Sequence, residues 1–116
     1  MPLEVIRSPG LVTISEAKNV TVNYSGGTVV LPSTDGIDVS AYREVFVEVV
    51  SDWEVHVVVQ SSEDRSSWID ALSFTVLKGK PRVERIGGAR YVRAVVYNPD
   101  CKFNHSVTLR FKVRGS

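Results

Sequence analysis

The fold class that this chain predicts is an antiparallel all-β sandwich, and three observations carry the prediction. Apolar and polar residues alternate with a period of two, most cleanly at Val107, Leu109, Phe111 and Val113 against Thr108, Arg110, Lys112 and Arg114. Turn-forming clusters recur along the chain at the spacing of short strands, among them Ser25-Gly26-Gly27, Pro32-Ser33-Thr34-Asp35-Gly36 and Gly87-Gly88. No segment holds the period of an amphipathic helix over a helix's length. About eight strands so spaced predict a single jelly-roll-like sandwich.

Each element has its own reason. Val12 and Ile14 alternate with Thr13 and Ser15, and Val20, Val22 and Tyr24 with Thr21 and Asn23. The Gly26-Gly27 turn then leads into a strand at Thr28-Val29-Val30-Leu31. In the loop that follows, Pro32 presets φ, Asp35 can bond its own backbone and Gly36 accepts φ > 0. Asp38 to Tyr42 reads as a short turn or one helical turn, and Arg43 to Ser51 as a strand with Val45, Val47 and Val49 on one face. Asp52 is the expected hairpin residue before a strand carrying Trp53, Val55, Val57 and Val59 on one face and Glu54, His56, Val58 and Gln60 on the other. After the serine-rich loop, Trp68, Asp70, Leu72, Phe74 and Val76 share a parity. Leu77 to Pro81 turns the chain into Arg82–Ile86, and strands at Tyr91–Tyr97 and Ser106–Arg114 close the domain.

With 116 residues the chain is expected to be one domain, long enough to bury a core without staples. Residues 10–116 form the expected sandwich. Residues 1–9 read as an N-terminal arm, because Leu3, Val5 and Ile6 are apolar while Pro2 and Pro9 bar the segment from a central strand. Fourteen Lys and Arg against thirteen Asp and Glu give a formal charge of +1, so no net field draws a nucleic acid or an anionic membrane. The one cysteine, Cys101, has no partner for an intrachain disulfide. The first residues lack a basic segment followed by an apolar stretch, and no apolar run approaches the roughly 20 residues of a membrane span. Neither a secretory signal nor membrane insertion is expected.

No catalytic set stands out. His56 and His105 are far apart and neither has metal-ligand spacing to another His, Cys or carboxylate, so no metal and no cofactor are expected. His105 lies in the loop that also holds Cys101, but a Cys–His nucleophile pair needs a third orienting group and an oxyanion site. Glu44, Glu48, Asp52, Glu54, Glu63 and Asp64 are scattered over predicted turns and outer faces. The chain is not expected to be an enzyme. Arg90, Arg93, Arg110, Lys112 and Arg114 would form a basic stripe if the last two long strands were neighbours. With Tyr91 and Tyr97 beside Arg93 such a stripe could stack sugars or bases, although outward cations also simply protect exposed strands. Asn19, Asn23 and Asn104 begin Asn-x-Ser/Thr triplets that read as ordinary strand and turn residues.

The segment Val57-Val58-Val59-Gln60-Ser61-Ser62-Glu63-Asp64-Arg65-Ser66-Ser67-Trp68 resembles the strand and Ser-x-Asp-Gly-x-x-Trp turn of discoidin-like (F5/8 type C) domains and of β-sandwich modules on phage tails, phage capsids and spore surfaces. Gly87-Gly88-Ala89-Arg90-Tyr91-Val92-Arg93 is similar to the Gly-x-Arg-Tyr-Val-Arg strand of those families. Gly36 to Val49 resembles the Asp-hydrophobic-Ser-x-Tyr lead-in of compact phage and spore-surface modules. Physically, Ser62 and Asp64 can cap a tight turn, and Trp68 is expected to anchor the core between the sheets. Arg65 stands where the family has glycine, and the paired cysteines of true discoidin domains are missing, so their glycan or lipid binding does not transfer residue by residue.

The resemblance implies a non-catalytic structural module, a decoration or tail-associated protein of a phage or virus-like particle, at a virion or cell surface. A homo-oligomer is expected, with Leu3, Val5 and Ile6 packing on a neighbour. Other virion proteins or a surface glycan are the expected further partners. The alternative is a carbohydrate-binding module in which Trp53, Tyr24, Tyr42 or Tyr97 stacks on sugar rings and Arg93 bonds a hydroxyl.

Overall fold

Strict alternation makes the last strand, residues 105–114, a central one: every second side chain from His105 to Val113 is buried, and the strand is paired on both sides. The computed structural model describes residues 11–115 and contains no helix among them. In chain order the strands are β1 (Val12–Val22), β2 (Thr28–Leu31), β3 (Ile37–Asp38), β4 (Glu44–Ser51), β5 (Val55–Ser62), β6 (Ile69–Val76), β7 (Arg82–Ile86), β8 (Tyr91–Tyr97) and β9 (His105–Arg114). One sheet runs β1-β9-β4-β7 and the other β2-β8-β5-β6, all pairs antiparallel. The two-residue β3 continues the β2 edge along β8, and it is the addition to the eight long strands expected.

The chain passes from sheet to sheet at nearly every connection, and only β5 and β6 are consecutive long strands that pair with each other. That is the double Greek-key winding of a jelly roll. It corrects one expectation, because Asp52 turns no hairpin. Val45, Val47 and Val49 on β4 and Val55, Val57 and Val59 on β5 are all buried, and they face one another across the interior from different sheets. The Gly26-Gly27 turn likewise carries the chain from one sheet to the other. The arm residues Leu3, Val5 and Ile6 lie outside the described residues.

Valine fills most of the core. Val22, Val47, Val49, Val55, Val57, Val59, Val92, Val96 and Val107 are fully buried around Leu109 and Phe111. β-branched side chains suit a pleated, two-sided interior, and each contributes about 1.5–3 kcal/mol when fully covered.

Trp68 departs from its expected place. In the β5–β6 pairing Val59 is opposite Leu72 but Gln60 is opposite Asp70, so Ala71 is an extra, bulged residue. The bulge reverses the parity of everything before it: Leu72, Phe74 and Val76 point inward, while Asp70 and Trp68 turn to the outer face. There Trp68 lies 4.2 Å under the Arg93 guanidinium, and it is not among the side chains packed on the core. Gly36, at φ 68, permits the close approach of the β2–β3 loop, since a Cβ would sit 2.7 Å from the Trp68 ring and 2.5 Å from the Val92 carbonyl. The expected cap does form. Ser62 Oγ accepts from the Asp64 and Arg65 amides at 3.2 and 2.9 Å, and Asp64 Oδ1 accepts from the Ser66 and Ser67 amides at 2.8 and 3.0 Å.

The basic stripe is also split. β8 and β9 belong to different sheets, so Arg90 and Arg93 part from Arg110, Lys112 and Arg114. The latter three are paired on the outer face of the four-stranded sheet, Arg110 with Glu16 and Glu48, Lys112 with Glu48, and Arg114 with Glu44. Exposed pairs of this kind contribute at most about 1 kcal/mol each.

Candidate functional site

Because the strands run antiparallel, four connections meet at one end of the sandwich: residues 23–27, 52–54, 77–81 and 98–104. The longest of them, between β8 and β9, is organised by one buried amide. Asn98 donates from Nδ2 to the Val22 carbonyl at 2.8 Å and to the Phe103 carbonyl at 3.0 Å, and its Oδ1 accepts from the Asp100 amide at 2.8 Å. A loop with such internal bonds can present side chains rigidly.

Neighbouring loops are tied to it. Asp100 Oδ1 accepts from the Lys102 amide at 2.8 Å, and its Oδ2 meets His105 Nε2 at 3.1 Å. His105 Nδ1 contacts the Glu54 carbonyl at 2.7 Å, bridging to the β4–β5 connection. Tyr24 donates its amide to Asn104 Oδ1 at 2.9 Å, and Ser25 to the Asp100 carbonyl at 2.7 Å. Asp52 Oδ1 accepts from the Ser106 amide at 2.8 Å.

On this scaffold four aromatic rings stay in solvent: Phe103 is 66% exposed, Tyr24 50%, Trp53 45% and Tyr97 41%. Trp53 and Phe103 border a shallow cavity of about 310 Å³ that is also lined by Asp52, Asn104 and His105. A second recess of about 270 Å³, reaching Glu54, Pro99 and Asp100, shares Trp53 and His105 with the first. The Lys78 ammonium sits 4.4 Å over the Trp53 ring, and Tyr97 stacks on His56 with centroids 6.0 Å apart. Trp53, Tyr24 and Tyr97, named from sequence as candidate ligand residues, thus share this end, Trp53 beside Phe103 at the cavity and Tyr97 on the outer face of the five-stranded sheet against His56. Tyr42 lies in the turn before β4 at the opposite end, and Arg93 lies farther along the outer face that carries Tyr97. Phe103 was missed by sequence reasoning. Its signal was an aromatic residue inside an otherwise polar, proline-containing loop.

His105 was expected in a loop and instead begins β9, only 2% exposed. Both its ring nitrogens are engaged, by Glu54 and Asp100, so neither is left to activate the exposed Cys101 thiol. Among the described residues no group of three or more His, Cys, Asp or Glu could hold a metal ion.

The Lys102 amide, and after it the His105 ring, hold the Asp100 carboxyl below its ordinary range. A carboxyl lowered by folding stabilises above its unfolded value of about 4 and loses that contribution as pH falls below it. Asp64 behaves alike through the Ser67 and Ser66 amides. The melting temperature is therefore expected to be level down to about pH 5 and to fall in stronger acid. Asp100→Asn should flatten part of that fall, and an acid limb parallel to the parent's would refute the assignment.

No family model and no curated protein matches the chain. Among solved structures, the PBSX exported protein XepA superposes with a TM-score of 0.69 at 14% identity, over 91% of this chain. The chain spans 37% of XepA's length. PirA superposes with a TM-score of 0.55 at 20% identity, over 84% of this chain and 93% of PirA. A Tobacco streak virus coat protein dimer structure gives 0.45 at 11% identity, over 91% of this chain and 86% of the coat protein. XepA and PirA share the β-sandwich fold with this chain.

Proposed function

We propose that the chain is a non-catalytic structural module, a decoration or tail-associated protein of a phage or virus-like particle, which assembles as a homo-oligomer through its aromatic loop end. The observation that supports this reading most is that Trp53, Phe103 and Tyr24, on loops tied together by Asn98, Asp100, Asn104 and His105, and Tyr97, at the end of β8, stay in solvent at one end of the sandwich. Large exposed rings on a rigid frame are costly for a solitary domain and suit a contact that covers them. The setting proposed is a virion or cell surface, in keeping with the sequence resemblance to phage and spore-surface modules. Light scattering on the parent and on a Trp53→Ser, Phe103→Ser double variant tests it. An oligomer is expected that dissociates at least tenfold more readily in the variant at unchanged melting temperature. A monomeric parent would sink the reading.

The second reading, a carbohydrate-binding module, is favoured by one feature. The cavity between Trp53 and Phe103 is lined by Asp52 and Asn104, which pairs ring faces for sugar C–H groups with a carboxylate and an amide for hydroxyls. Titration with neutral oligosaccharides, watched by tryptophan fluorescence, separates the two. Saturable binding that Trp53→Ala abolishes would put sugar recognition first.

A further inference from the structure

At the other end of the five-stranded sheet, arginines and aromatic rings interleave on the outer face. Arg65 lies 4.3 Å over the Tyr91 ring, Arg90 lies 5.5 Å from the same ring, and Arg93 lies 4.2 Å over Trp68. On the opposite sheet the cations Arg82, Arg110, Lys112 and Arg114 each have a carboxylate within 4 Å. Among the described residues Arg65, Arg90 and Arg93 have none. Arg93 is fixed in direction by hydrogen bonds from Nε to Gln60 Oε1 at 2.8 Å and from Nη1 to the Thr34 carbonyl at 2.6 Å. Among the described residues its remaining terminal nitrogen has no hydrogen-bond partner.

A guanidinium over a ring is partly desolvated on that side and can still offer N–H groups to an oxyanion. Two such groups flank one tyrosine, and Asp38, opposite Tyr91 in the β3–β8 pairing, offsets part of their charge. Arg65 adds an independent sign. Its φ is 66, a conformation in which glycine carries no steric cost, so the tight turn gains nothing from an arginine there. Its position over Tyr91 is what distinguishes it.

We infer that Arg65, Arg90 and Arg93, held by Tyr91 and Trp68, bind the carboxylate or sulfate of an acidic saccharide. The surroundings favour a saccharide over a nucleic acid. Asp38 accepts from the Ser40 amide and hydroxyl at 2.9 and 2.6 Å and also faces the charges of Arg90 and Arg65, and Asp64 is engaged by its own turn. With Glu63 and Asp70 these acids confine the positive region to about one oxyanion group and would repel a continuous phosphate backbone. Gln60, bonded to Asp70 at 3.0 Å and to Arg93, supplies the oriented polar groups that hydroxyls require. The site is distinct from the aromatic loop end, and its test does not depend on that end's function.

Calorimetric titration of the full chain decides the matter, with an oligosaccharide carrying a single uronate, one carrying a single sulfate, neutral cellohexaose and a short DNA duplex as probes. One or both acidic saccharides should bind, more weakly as salt rises, and cellohexaose should not compete. Arg65→Gly should weaken binding at least tenfold while the melting temperature holds or rises, because glycine suits the turn. Arg90→Gln should weaken it similarly, and it disturbs no observed hydrogen bond. Arg110→Gln, which removes the same charge from the opposite sheet, should leave it unchanged, as should Trp53→Ala. The inference is overturned if neither acidic saccharide binds, if Arg65→Gly binds like the parent, or if duplex DNA binds as tightly and Arg110→Gln weakens all probes alike.

Discussion

Phe111→Ala is expected to destabilise the sandwich by about 3–5 kcal/mol, one of the largest single effects available in this chain. Phe111 is fully buried on β9, opposite Val47 of β4 and Ser15 of β1, at the middle of the four-stranded sheet. Its neighbours in the core are mainly valines. A valine is stiff at χ1 and has no longer arm to swing into the space, so the void persists rather than collapsing. The melting temperature should fall on the order of 10–20 °C. Val83, 56% exposed on the β7 edge, is the control, and its replacement by alanine should change little. A Phe111→Ala melting temperature close to the parent's would mean that the valine core repacks freely, contrary to this account.

The fold class was legible because burial leaves a period-two trace, and β4, β8 and β9 bury alternate residues along their whole length. What alternation cannot say is which sheet a strand joins. β4 and β5 both read as half-buried strands separated by three residues, and a hairpin or a crossover leaves the same pattern. The bulge at Ala71 was equally invisible. One extra residue in β6 moved Trp68 from the expected core to the outer face, where it carries Arg93. The Ser62-Asp64 cap, by contrast, was readable, since it depends on residues two and three apart whose side chains reach their own backbone.

The candidate sites were legible only in part, for the same reason. Trp53, Tyr24 and Tyr97 could be named as exposed aromatics, but that they share an end with Phe103 follows from three connections that all cross at that end. The basic stripe drawn from Arg90, Arg93, Arg110, Lys112 and Arg114 assumed that β8 and β9 are neighbours. Their separation left Arg93 with Arg65 and Arg90, and a turn residue thereby entered a cluster that no linear motif contains.

Asn98→Ala is expected to cost about 3 kcal/mol, since deleting one buried partner leaves the others unsatisfied at about 1–3 kcal/mol each. Its fully buried amide is the sole side chain to which the Val22 and Phe103 carbonyls and the Asp100 amide are bonded among the described residues. Asn98→Asp is the sharper form: a carboxylate keeps the acceptor for Asp100 but turns oxygen toward two carbonyls that need a donor. Either change should release the loop that holds Phe103 and Asn104, so the wall facing Trp53 is lost along with the stability. Asn104→Ala gives the contrast, because it removes only the bond to the exposed Tyr24 amide and should cost about 1 kcal/mol or less. Thermal melts, read beside hydrogen exchange at the Asp100 amide, follow both consequences. If Asn98→Ala melts like the parent with that amide still protected, the loop is held by something other than this amide, and the rigid presentation of the aromatic end fails with it.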